Sequence, residues 1–268
     1  MPAPPDRHDF EVHMLCGDKT WDMGVWASWS ILRFFPRARL YVHDDSTLSD
    51  GLMAQWDRVV PGAVFVRRDE ADARVEQEIA EAYPNLYAWR CGYWSGPQVV
   101  DMHLYGESPK WLTMDTDVLC FREPVELFRL VDQDQRVYRY NRDTLGRSCY
   151  MATPEELERL TETVVPRAVN CGFGLTDRFT EDDFARLDGL IDRLKSDPAI
   201  RPTPSFQSNT MYALVHTGFE AQPLPPDYDV YHGPGHTGQT IRHYVTRTET
   251  RARFFTEGLP DLWQQVRP

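Results

Sequence analysis

Two aspartates, Asp115 and Asp117, stand one residue apart inside KWLTMDTDVLCF, Lys110–Phe121. Trp111, Leu112 and Met114 precede them, and Val118, Leu119 and Phe121 follow. A run this apolar reads as buried strand, and burying a carboxylate is costly unless it is paired or bound to a metal. A second carboxylate at close range adds like-charge repulsion. Side chains at i and i+2 of a strand share a face, so the pattern predicts that both carboxylates address one point. A divalent cation at that point offsets both costs. Hard ions such as Mg2+ take oxygen ligands, accept one or two carboxylates and leave positions for phosphate oxygens and water. A bare D-x-D is most often a solvated turn, and the apolar residues on both sides set this one apart.

Neutral imidazole is a common metal ligand, and His232, His236 and His243 cluster near the end of the chain. His243 falls in the strand-like IRHYV, whereas the other two flank or sit on the glycine loop GPGHTG, Gly233–Gly238. That loop matches G-x-G-x-x-G, but no strand leads tightly into it and no helix follows, so a dinucleotide-binding turn is not indicated. A flexible loop and a loop whose amides approach a phosphate both remain open. Asp44 and Asp45 end another predicted strand and read equally as a surface turn or as acceptors for ribose hydroxyls. There is no G-x-x-x-x-G-K-[ST] segment and no Ser–His–Asp spacing that suggests a nucleophile.

The elements that must position these residues alternate in type. Strands are predicted at Phe10–Leu15, Arg39–Val42, Val64–Arg67, Trp111–Met114, Val137–Tyr140, Ala168–Leu175 and Ile241–Val245. Helices are predicted at Trp21–Phe35, Leu48–Val60, Asp69–Ala82, Pro124–Val131, Thr180–Leu194, Ser205–Val215 and Thr250–Gln265, with a partly helical Tyr87–Tyr105 broken at Gly96–Pro97. Thr153–Pro154–Glu155–Glu156 carries the signature of a helix start. This alternation predicts an α/β fold with a mainly parallel sheet flanked by helices. Ligands of such sheets bind beyond the carboxyl ends of the strands. Cys16–Gly17, Asp44–Asp45 and Asp115–Asp117 are therefore expected to meet near one crevice.

The 268 residues suit one large domain, and 41% hydrophobic content fits a folded protein. A net charge of −12 disfavours nucleic acid and anionic membrane surfaces as partners. The polar N-terminal segment lacks the apolar core of a signal peptide, and no run approaches a membrane span. Five scattered cysteines without a C-x-x-C point to a reducing, cytoplasmic setting.

Four stretches in order, YVHDDSTL, KWLTMDTDVLCFREPVEL, AVNCGFGL and IRHYVTRTETRARFFTEGL, resemble the metal-dependent nucleotide-sugar glycosyltransferases of the GT-A fold. The likeness is to the glycogenin and lipopolysaccharide-galactosyltransferase type. It implies a single domain over 1–268, with a nucleotide-sugar half to about residue 130 and, over about 131–268, an acceptor half with a C-terminal metal and diphosphate segment. It implies Mn2+ or Mg2+ held by Asp115, Asp117 and His243, with His232 as the rival histidine because His232 to Gly235 imitates the family's late His-x-x-Gly spacing. Asp115 would also meet the ribose, Arg247 the diphosphate, and Asn170 and Gly172 the donor sugar. Cys16, Gly17, Asp44 and Asp45 would border the nucleoside, and Gln207 would face the sugar from a helix start. Asp117, Gln207 and Asn170 are thus the expected catalytic set. One departure is that Gly96–Pro97–Gln98 stands where the family often has a basic residue; whether Arg90 takes its place is left open by the sequence.

The resemblance implies transfer of a sugar from a UDP-sugar to an acceptor hydroxyl with retention of configuration. The acceptor could be a glycan, a lipid-linked sugar, a protein or a small molecule. Alternatives are a catalytically silent nucleotide-sugar-binding module and a nucleotide-sugar hydrolase. A nucleotidyltransferase is disfavoured, because LCGDKTWDMG after the first strand lacks the glycine-rich basic loop of that class.

Overall fold

The computed structural model describes residues 10–131, 133–144, 149–235, 238–245 and 248–266. In chain order the strands are β1 (Glu11–Cys16), β2 (Arg39–Asp44), β3 (Val64–Val66), β4 (Lys110–Met114), β5 (Val118–Cys120), β6 (Val137–Arg142), β7 (Val169–Asp177), β8 (Glu220–Pro223) and β9 (Ile241–His243). Seven of them form one sheet in the order β3-β2-β1-β4-β7-β6-β8. β7 runs against both its neighbours, and the other six strands share one direction. β5 and β9 pair as a separate antiparallel ribbon.

Both faces of the sheet are covered, as a mainly parallel sheet requires. Alternate residues of β1, β2 and β4 (Val12, Met14, Leu40, Val42, Leu112, Met114) pack on one side with Val25 and Ile31 of helix Trp21–Leu32 and Trp56 of helix Asp50–Val59. On the other side Tyr138 and Tyr140 of β6 pack with Leu187 and Ile191 of helix Glu181–Ser196 and with Met211 and Leu214 of helix Gln207–Val215. Full burial of such side chains stabilises the fold by about 1.5–3 kcal/mol each, an upper estimate. The two predicted threonine starts are both capping boxes, Thr153 with Glu156 and Thr180 with Asp183.

Three elements differ from the sequence-based expectation. Gly96–Pro97 does not interrupt a helix but opens one, Gly96–Val99, where a proline lacking its N–H is tolerated. β8 was not foreseen; its EAQP sequence contains a proline, which a sheet edge accepts. The final helix is two, Thr248–Arg253 and Leu259–Val266, joined by a wider π-type turn at Phe254–Gly258. Among the described residues, no helix is long and apolar enough to cross a membrane.

Candidate metal centre

β4 lies between β1 and β7 and ends at Met114. The next amide, Asp115 N, donates to Gly172 O of β7 at 2.7 Å. The chain then turns through Asp115, Thr116 and Asp117 before entering the ribbon as β5. The two aspartates therefore stand on a turn between two sheets, not on the pleat of one strand. They converge because the chain bends there, and the turn is only partly solvated, the Asp117 side chain being 14% exposed and that of Asp115 35%.

The ribbon supplies the third group. Val118 is paired with His243, and Tyr244 N donates to Asp117 O at 2.8 Å. This places His243 Nε2 at 3.0 Å from Asp117 Oδ1 and 3.6 Å from Asp115 Oδ2. One donor atom from each of the three residues lies within 4.8 Å of the others. His232 is outside this cluster, with Nε2 at 3.8 Å from Asp143 Oδ1. His236 and Arg247 lie outside the described residues.

A second layer orients the cluster. Gln98 Nε2 donates to Asp115 Oδ1 at 2.9 Å and to Cys171 O at 3.3 Å. Asn141, its amide turned to donate to Phe173 O (3.0 Å) and Asn170 O (2.8 Å), sets its other terminal atom 3.5 Å from His243 Nδ1. Asn170 Oδ1 accepts from Gly172 N at 3.0 Å. Gly172 is needed for space: a Cβ there would sit 2.2 Å from His243 Cε1 and 2.6 Å from Asp115 Oδ2.

Electrostatics favour a cation. The Asp115 carboxyl is raised to about 6, chiefly by burial, with His243 and Gln98 pulling it down and Asp117 pushing it up. Burial disfavours the His243 cation, but Asp117 and Asp115 outweigh that and hold its pKa above the ordinary value. The cluster offers an ion two carboxylate oxygens and one imidazole nitrogen, a largely oxygen donor set that suits Mg2+ or Mn2+.

The cluster opens on a cavity of about 530 Å³, also lined by Gln98, Asp143, Asn170, Gln207 and His232. Gln207 begins its helix just after Phe206, whose φ of 60° turns the chain into it. Gln207 Oε1 accepts from the Trp89 indole N–H at 3.2 Å, and Nε2 is buried without a partner. The expected cofactor-binding residues Cys16, Gly17, Asp44 and Asp45 do come together, with Cys16 paired to Asp44 and Asp45 N donating to Cys16 O at 2.9 Å. None of the four lines the 530 Å³ cavity. Asp44 Oδ1 accepts from the amides of Ser46 and Leu48, both at 2.9 Å, and Asp45 Oδ1 holds Thr47 N at 3.0 Å and Oγ1 at 2.6 Å. These are turn-forming bonds.

Arg90 is no substitute for the missing basic residue. It is 1% exposed, paired with Asp101 at 2.5 Å and with Asp72, and does not line the cavity. Asp143 and Asn141 were missed. Asp143 immediately follows the carboxyl end of β6, so the strand-end rule points to it; for Asn141 nothing in the sequence gave a signal.

No protein-family model matches the sequence, and no curated protein matches it. Solved structures do match. The chain is similar to apo mouse xyloside xylosyltransferase 1, with a TM-score of 0.57 and 14% identity over 90% of this chain and 99% of that one. It is similar to the galactosyltransferase LgtC in complex with donor and acceptor sugar analogs, with a TM-score of 0.53 and 14% identity over 96% of this chain and 97% of that one. The fold is that of the GT-A glycosyltransferases. GlyE of Streptococcus pneumoniae is a third similar structure, with a TM-score of 0.55 and 11% identity over 95% of this chain and 62% of that one. The mixed α/β sheet and its mainly parallel order agree with this GT-A assignment. At these identities the likeness speaks to fold, and the chemistry has to be argued from the site.

Proposed function

We propose that this chain is a metal-dependent glycosyltransferase that moves a sugar from a UDP-sugar to an acceptor hydroxyl with retention of configuration. The observation that carries the reading is the Asp115–Asp117–His243 cluster at the wall of the 530 Å³ cavity. The GT-A fold supports it, as does the similarity to LgtC, which was solved with donor and acceptor sugar analogs.

Asp115, Asp117 and His243 would hold Mn2+ or Mg2+. When bound, the ion supplies Lewis-acid stabilisation of the charge that builds on a departing diphosphate. The chain's own residues do the rest. Gln98 fixes the Asp115 carboxylate through Oδ1, leaving Oδ2 to face His243. Asn141 faces the far nitrogen of His243, the kind of outer contact that orients a ligand imidazole. Trp89 holds the Gln207 carbonyl, so the amide group without a partner is the NH2. Gln207 then acts as a hydrogen-bond donor to the donor sugar and not as a nucleophile. Asn170 orders the Gly172 backbone beside the ion and the sugar. Arg247 is assigned to the diphosphate, and the β1 and β2 ends, with Cys16, Gly17, Asp44 and Asp45, to the nucleoside. On this reading the part up to about residue 130 serves mainly the nucleotide-sugar, and the later part combines acceptor contacts with the C-terminal metal and diphosphate segment, the reaction being accelerated by holding both substrates in register.

The test is incubation with sugar-labelled UDP-glucose, UDP-galactose and UDP-xylose in Mn2+ or EDTA, with product analysis. Label in a new glycoside, lost in EDTA, supports transfer. Label only in free sugar makes the protein a hydrolase, and no turnover of these or other nucleotide-sugars makes it a binding module.

A further inference from the structure

We propose that Trp94 is the platform on which the pyranose ring of an acceptor stacks, so that the acceptor of this site is a sugar. The inference rests on the glycosyltransferase reading above and deepens it.

Trp94 is 82% exposed, although its indole is among the largest apolar surfaces a chain can leave in water. It also lines the 530 Å³ cavity. High exposure places it at the mouth, whereas His243, 4% exposed, lies deep. An exposed aromatic ring at the mouth of a polar cleft offers a flat apolar face to a ligand entering it.

The segment that carries Trp94 is built, not loose. Tyr93, Trp94 and Ser95 join helix Pro84–Gly92 to helix Gly96–Val99. Gly96 N donates to Tyr93 O at 2.9 Å, and Gln98 N donates to Ser95 O at 3.1 Å. A Cβ on Gly96 would lie 2.2 Å from Arg90 O, so only glycine fits. Arg90 is itself held by Asp101 at 2.9 and 2.5 Å. Four residues after Trp94, Gln98 reaches Asp115. One rigid turn thus presents an aromatic face outward and a metal-orienting amide inward.

The surroundings match a pyranose, which has a C–H face and a rim of hydroxyls. The indole covers the face. Ser95 and Ser205, which line the same cavity, are hydroxyl-bearing partners for the rim. A lipid tail would meet carboxylates at the floor. On the reading above the donor's base is assigned to Asp44 and Asp45, which do not line this cavity, and the donor sugar to Gln207 and Asn170, 7% and 8% exposed. Trp94, 82% exposed at the mouth, is left to the acceptor.

The test uses the full chain labelled with 5-fluorotryptophan, the Trp94 line in the fluorine spectrum being the one lost in Trp94→Phe. Methyl glycopyranosides of galactose, glucose, mannose and xylose are titrated with Mn2+ and UDP present. The proposal expects at least one to shift the Trp94 line saturably. In turnover with that glycoside as acceptor, Trp94→Ala should raise its KM at least tenfold, with Trp94→Phe keeping most of the affinity and the Kd for UDP unchanged in both. No shift with any pyranoside overturns the proposal, and so does an equal shift with UDP alone, which would assign the platform to the base. Failure of the donor reading is read separately, as absence of metal-dependent UDP binding by calorimetry.

Discussion

His243 Nε2 lies 3.0 Å from Asp117 Oδ1 because β5 and β9 pair, with Val118 opposite His243. Residues 126 positions apart in the chain are thereby held as neighbours by ladder hydrogen bonds. Gly172 of β7 is the third side of this arrangement.

Gly172→Ala is therefore expected to disable the centre without unfolding the chain. The new methyl group would overlap His243 Cε1 and Asp115 Oδ2. Mn2+ affinity, followed by electron paramagnetic resonance of the free ion, should fall at least tenfold while the far-ultraviolet circular dichroism is retained.

Gln98→Leu removes the bond that fixes Asp115 Oδ1. Loss of such an outer partner commonly costs about 10–100-fold in metal affinity or activity. The same Mn2+ titration checks it, and an affinity equal to wild type would remove Gln98 from the account.

Arg90→Ala tests the opposite assignment, a structural role. It leaves Asp101, 1% exposed, without its guanidinium partner. Breaking a buried pair from one side costs about 3–5 kcal/mol. Urea unfolding should show that loss, and a variant that instead keeps its stability but loses UDP affinity would return Arg90 to the donor site.

The buried histidines predict acid sensitivity. Burial lowers His13 to about 4 and His216 to about 3, against 6.5 for a free histidine. Both are neutral when folded, so between pH 6.5 and about 4 the unfolded chain binds protons that the folded chain does not. Stability is full above pH 6.5 and falls as pH drops, by about 2 kcal/mol for each histidine at pH 5, from 1.36 kcal/mol per pH unit. Urea midpoints at pH 7.5 and 5 check this, and His216→Asn should flatten the dependence.

The legible part of the fold was the part written in local pattern. Thr153 and Thr180 announce their helices with side chains three residues apart, and the apolar runs of β1, β2 and β4 need no partner to be seen. β8 could not be seen, because EAQP is half-exposed and becomes a strand only by lying beside β6. At the site, Asp115 and Asp117 stand out through their apolar neighbours, yet the turn that makes them converge depends on Gly172 O, 57 positions away from Asp115. His243 was reachable through resemblance. Gln98 and Asn141 take their roles from tertiary neighbours, and Arg90, though close to the site in sequence, is turned away by Asp101.

The most direct measurement is calorimetric titration of UDP into wild type and Asp117→Ala, each in Mn2+ and in EDTA. The account predicts binding to wild type that needs Mn2+ and is lost in the variant. Binding of equal strength in EDTA, or undiminished in Asp117→Ala, would contradict it.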